Sequence, residues 1–153
     1  MEPATRIPVP RPPLGADQVL VTGDISSEWV ISTTDLDAHA GAGVDVPYVT
    51  RRRREVHHVQ GVQLHSLLTR VQLRTDTGHK MDHLSFVVLV ESADGYRALL
   101  SWAEVDPEFG ACAALLATRY NGRRLARPTL VVPRDGRASR YVRDVCQVRL
   151  SRH

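Results

Sequence analysis

The sequence predicts one domain, α+β or mainly β. Three observations carry this: many short β-branched stretches, two hairpin dipeptides (Asp94-Gly95 and Asn121-Gly122), and only short helical patterns between them. At 153 residues there is room for one domain plus a short tail. Hydrophobic residues at 42% and charged residues at 24% suit an ordinary globular chain and exclude a disordered one.

In chain order, residues 1–16 are Pro-rich and expected to be extended or flexible, so that the folded domain spans 17–151. Residues 19–23 read as a first strand and Trp29-Val30-Ile31 as a second. Ser32 or Thr33 caps a short helix over 34–38, with Asp35 placed for a reciprocal bond, and Gly41-Ala42-Gly43 stops it. Residues 44–49 alternate with period two, and Pro47 within them points to a sheet edge or a bulge. Four successive arginines at 51–54 cannot all avoid a core face, which implies a hairpin turn or a solvated strand end. Residues 55–59 then return as a strand.

Leu64, Leu67, Leu68 and Val71 keep helical spacing, and residues 74–83 are polar and loop-like. Residues 84–90 are the strongest strand, nearly continuous and apolar. They are therefore expected to be central, with Val87, Val88 and Leu89 buried. Residues 96–100 return after Asp94-Gly95, and residues 102–105 form a helical turn closed by Asp106-Pro107. Residues 113–120 stay ambiguous between helix and strand, although Asn121-Gly122 favours strand on its flanks. Residues 129–132 and 145–150 are the last strands.

Composition and motifs narrow the function. No run of eighteen apolar residues exists to make a membrane helix, and the opening residues lack the apolar core of a secretory signal. Two cysteines, Cys112 and Cys146, build neither a disulfide framework nor a thiolate zinc site. A cytoplasmic location is the resulting expectation. No G-x-G-x-x-G, phosphate-binding loop, G-x-S-x-G or H-E-x-x-H occurs. Of the seven histidines, His57 and His58 point to opposite faces of a strand, and Gly78 breaks any helix joining His79 to His83. Ordinary hydrogen-bonded histidines are favoured over a metal site, and both cysteines read as small core residues rather than reactive thiolates.

Charge is unevenly spread. Residues 1–50 carry two arginines against seven acids, whereas residues 119–153 carry ten arginines against Asp135 and Asp144. This favours an anionic partner, a small phosphate-bearing ligand before a nucleic acid, since aromatics are only 5% and no stacking platform or recognition helix is visible. Between two strands, Pro133-Arg134-Asp135-Gly136-Arg137-Ala138-Ser139-Arg140-Tyr141-Val142-Arg143 carries four arginines in a turn. Arg137, Arg140 and Arg143 are three apart and align if a helical turn forms, giving a candidate anion cradle.

An ordered series of motifs then becomes visible: Gln60-Gly61-Val62-Gln63-Leu64-His65-Ser66-Leu67-Leu68, Ala93-Asp94-Gly95-Tyr96-Arg97, Ala103-Glu104-Val105-Asp106-Pro107-Glu108-Phe109-Gly110, Asn121-Gly122 with Leu125, Leu130-Val131-Val132-Pro133-Arg134-Asp135 and Arg140-Tyr141-Val142-Arg143. With the strand and capped helix at 19–36, this series resembles the molybdopterin-binding domain of the sulfite oxidase family over about 130 residues. The resemblance implies a compact α+β domain with mixed and antiparallel sheet, and a molybdopterin cofactor whose metal takes one protein cysteine. That cysteine belongs in the stretch matching residues 46–59, where this chain has none. A soft thiolate is not replaced by Thr or Arg with retained electronics.

The expectation is therefore a cysteine-lacking, non-redox module for an organic or anionic ligand. The alternatives are an oxidoreductase with atypical ligation and a basic interaction module. Candidate ligand-binding residues are Arg137, Arg140, Tyr141, Arg143, His57 and Tyr96, converging on one concave surface. Molybdopterin enters only through the resemblance, and the oligomeric state stays open.

Overall fold

A computed structural model describes residues 13–153, and most of the expected Pro-rich tail, residues 1–12, lies outside them. Two sheets carry the fold. The first has strand order β2-β1-β9-β5-β6, built from β1 (Gln18–Gly23), β2 (Trp29–Ser32), β5 (Phe86–Ser92), β6 (Arg97–Ser101) and β9 (Val145–Arg152). The second has order β3-β4-β7-β8, from β3 (Val44–Val49), β4 (Arg54–Gln63), β7 (Leu115–Tyr120) and β8 (Arg123–Val131). All pairings are antiparallel except β1 with β9. Buried residues from both sheets, among them Val21, Val88, Leu116, Leu130 and Val148, form one continuous apolar core. This is the α+β architecture with mixed and antiparallel sheet that the sequence implied.

Local chemistry explains the elements. Helix α1 (Thr33–Ala38) starts at Ser32, whose hydroxyl accepts from the Asp35 amide. Helix α2 (Leu64–Leu68) follows β4 directly and buries Leu64, Leu67 and Leu68. Helix α3 (Trp102–Val105) is set by a reciprocal cap between Ser101 and Glu104 that the sequence reading overlooked. Asn121 and Gly122 both take positive φ, 49° and 80°, which lets a two-residue turn join β7 to β8. The ambiguous stretch before them resolves as strand.

Leu84 and Ser85 leave the expected strand for a 3-10 turn, β8 begins at Arg123 rather than Thr129, and two further expectations change. Strand β4 runs on to Gln63 rather than stopping at Val59, because a bulge between Gln60 and Gly61 redirects it into α2. Gly61 is required there: a Cβ would come within 2.0 Å of the Leu116 carbonyl oxygen. Strand β5 lies between β9 and β6, yet only Phe86, Val88, Val90 and Ser92 are buried. Val87 and Leu89 are half-buried, because this sheet covers the core with one face and alternation turns them to the other.

Candidate anion-binding site

The register of β3, β4 and β7 builds one wall of the site. Val46 faces His57, Tyr48 faces Glu55 and Val59 faces Tyr120 across these ladders. With a side-chain period of two, Tyr48, His57 and Tyr120 share the face on which Val46 and Val59 enter the core. The His57 ring stacks on Tyr48 with centroids 4.5 Å apart and planes at 21°, and meets Tyr120 edge-on at 5.1 Å. Tyr141 closes the cluster from the far side, donating its hydroxyl to the Pro47 carbonyl 2.5 Å away. His58 points the opposite way, to Asp45 at 2.9 Å.

Hydrogen bonding orients the His57 ring. Nε2 lies 2.7 Å from the Glu55 carboxylate, an acceptor only, so Nε2–H donates there and Nδ1 meets the Tyr120 hydroxyl. The bond from His57 holds Glu55 below the ordinary carboxylate range. Burial first, then the neighbouring Tyr48 phenol, pushes Tyr120 up. The result is a Glu55–His57–Tyr120 chain ending on a neutral phenol.

The candidate arginines separate. Arg140 is consumed by protein: Nε and Nη2 each lie 2.8 Å from Asp135, and Nη1 donates to Glu104 at 2.7 Å and to the Leu99 carbonyl at 3.2 Å. Arg137 is exposed and extended, and the 3-10 turn beside it spans only Ala138–Arg140. The turn is too short to align three arginines. Tyr96 donates to the Ser139 carbonyl, which places it with the Arg140 network rather than beside His57. A single three-arginine cradle therefore does not form. His57 and Tyr141 come together, and Arg143 stands near them across Tyr120.

Arg143 lines a hollow of about 570 Å³ with Tyr120, Arg123, Arg127, Thr129 and Asp144. Arg127 is anchored to the Gln18 and Gly15 carbonyls at 3.2 and 2.9 Å, with Asp144 3.7 Å from its other terminal nitrogen. Arg123 and Arg143 are exposed, and neither side chain has a hydrogen-bond or ion-pair partner among the described residues. The sequence reading passed over Tyr120, Arg123 and Arg127. Its usable signal was Asn121-Gly122, since a two-residue turn sets Tyr120 directly opposite Arg123.

The donor set does not fit a cysteine-ligated molybdenum. The β3–β4 region offers Tyr48, Thr50, arginines and His57, with no thiol. Cys112 and Cys146 lie elsewhere in the fold, and burial pushes both thiols up, away from thiolate character. Among the described residues, no three His, Cys, Asp or Glu side chains group to hold a metal ion. No described helix is long and apolar enough to cross a membrane.

No protein-family model and no curated protein matches the sequence. Among solved structures, the chain is similar to the sulfane dehydrogenase SoxCD from Paracoccus pantotrophus, with a TM-score of 0.66 at 14% identity. The match covers 91% of this chain but only 39% of that one, so the domain spans well under half the length of its structural neighbour. At that identity the likeness establishes the fold alone.

Proposed function

We propose that this domain is a non-redox binding module for a small phosphate-bearing or otherwise anionic ligand, held in the hollow between the β7–β8 hairpin and Arg143. One observation carries the reading: Arg123 and Arg143 are unpaired guanidinium groups on the same hollow, beside the neutral Tyr120 phenol. Two forked donors suit a phosphate, and the Tyr120 ring offers a flat surface to an organic body. The sulfite-oxidase-type resemblance supports a ligand-binding ancestry, while the missing thiol argues against a cysteine-ligated redox centre.

The test is calorimetric titration of the full chain with inorganic phosphate, a pterin phosphate and a short oligonucleotide. Arg143→Ala or Arg123→Ala is expected to weaken phosphate-ligand binding by roughly ten- to a hundredfold, the worth of one charged hydrogen bond. Arg52→Ala serves as the control, since a solvated turn arginine contributes only screened attraction. Equal losses from all three variants, or tighter binding to the oligonucleotide, would instead favour a diffuse basic surface.

A further inference from the structure

A second cavity, of about 440 Å³, opens at the end of the β3–β4 ribbon opposite the arginine turn. The chain leaving α1 crosses to β3 without regular structure, and α2 stands across from it. The floor is apolar, made by Ile31, Leu36, Val62, Leu67 and Leu115, four of them buried. The rim carries His39, Gln63, Ser66 and Arg70, all exposed. None of these four side chains has a hydrogen-bond or ion-pair partner among the described residues. No carboxylate lines the cavity, and Arg70 stands at its mouth, where it also borders the neighbouring hollow that Glu28 lines.

Gly41 and Gly61 both line the space, and the Cβ that Gly61 lacks would point at β7 rather than into it. The Gly41 amide donates to the Gly61 carbonyl at 3.1 Å, tying the crossing chain to the bulge of β4. A Cβ at Gly41 would meet nothing within 4 Å.

We infer that this cavity is a binding site for a small organic monocarboxylate with a branched or cyclic hydrocarbon body. Its volume falls within the range of small-molecule pockets, and its apolar floor with a few convergent polar groups is the usual composition of one. Arg70 presents one planar fork that matches one carboxylate, and Ser66 and Gln63 add neutral donors alongside. A bare phosphate leaves the apolar floor unfilled and finds one guanidinium rather than two, which separates this site in chemistry from the Arg123–Arg143 hollow.

The experiment titrates the full chain with cyclohexanecarboxylate, 4-methylpentanoate, their neutral amides and inorganic phosphate, followed by calorimetry and by ligand-observed NMR. Saturable binding of at least one carboxylate is expected, with its amide at least about tenfold weaker. Arg70→Ala should erase the preference for carboxylate over amide and leave amide binding in place. Gly41→Leu, which enters open space and so leaves the melting temperature near that of the parent, should block both ligands, and Ser66→Trp repeats that test from the opposite rim. Arg143→Ala should change nothing at this site. The inference is overturned if neither carboxylate saturates below about 10 mM, if Arg70→Ala keeps the preference, or if Arg143→Ala removes binding.

Discussion

Arg140 and Asp135 hold one another through two parallel hydrogen bonds of 2.8 Å, a fork closed on a carboxylate five residues back. The third face of the same guanidinium reaches Glu104, whose side chain also caps α3. An arginine in the expected ligand-binding turn therefore does structural work, pinning that turn to β6 and α3. Pairing with Asp135 first, and then with Glu104, drives the Arg140 pKa further upward.

Removing that side chain should lower stability rather than affinity. Arg140→Ala is expected to cost about 1.5–3 kcal/mol, because a half-buried charge-assisted network is lost and two carboxylates are left facing each other without their cation. Arg140→Lys should recover only part of this, since an ammonium cannot reproduce the fork. Urea denaturation reads the loss, and phosphate titration of the folded variant should stay within about twofold of the parent. A variant of parental stability that no longer binds phosphate would return Arg140 to the ligand site.

Acid should unfold the domain through specific carboxylates. Arg119 grips Asp37 with bonds of 3.1 Å from Nε and Nη2, the Thr118 hydroxyl adds one of 2.7 Å, and the Asp37 pKa falls from 3.8 to about 2. The folded value lies below the unfolded one, so this contribution is complete above pH 3.8 and is lost as pH falls through about 2. Asp82 behaves alike, held down by the paired bonds from Arg152 and the Asp76 amide. Asp37→Asn should be less stable than the parent at neutral pH, and the gap should close on acidification. Urea midpoints measured from pH 5 to pH 2 check this, and a constant gap would refute it.

Glycine substitutions should sort by space and by φ. At Gly61 a Cβ meets backbone, the Leu116 carbonyl oxygen at 2.0 Å, so Gly61→Ala has to open the β4–β7 ladder and should cost about 3 kcal/mol or more. At Gly122 nothing lies within 4 Å and the strain is conformational, from φ of 80°, so Gly122→Ala should cost only about 1 kcal/mol. Thermal unfolding of the two variants ranks them. The reverse order would mean that the bulge relaxes freely.

By itself, the sequence determined most of the strand and hairpin pattern, because period-two alternation, Asn121-Gly122 and the Ser32 cap act over a few residues, while it left 113–120 open and β4 too short. It also determined that residues 44–61 carry no thiol, and that His57 and His58 leave β4 on opposite faces. The tertiary structure alone decided which side chains meet. Arg137, Arg140 and Arg143 are equally spaced in the chain, yet Asp135 and Glu104 take one, solvent takes another, and only the third reaches the Tyr120 hollow. Val87 and Leu89 look like core in an apolar run, but whether a sheet is covered on one face or two depends on elements distant in sequence. Local spacing sets where a side chain leaves the backbone. Long-range register and competing partners set what it finds there, and for an arginine that difference separates a structural clamp from a free anion donor.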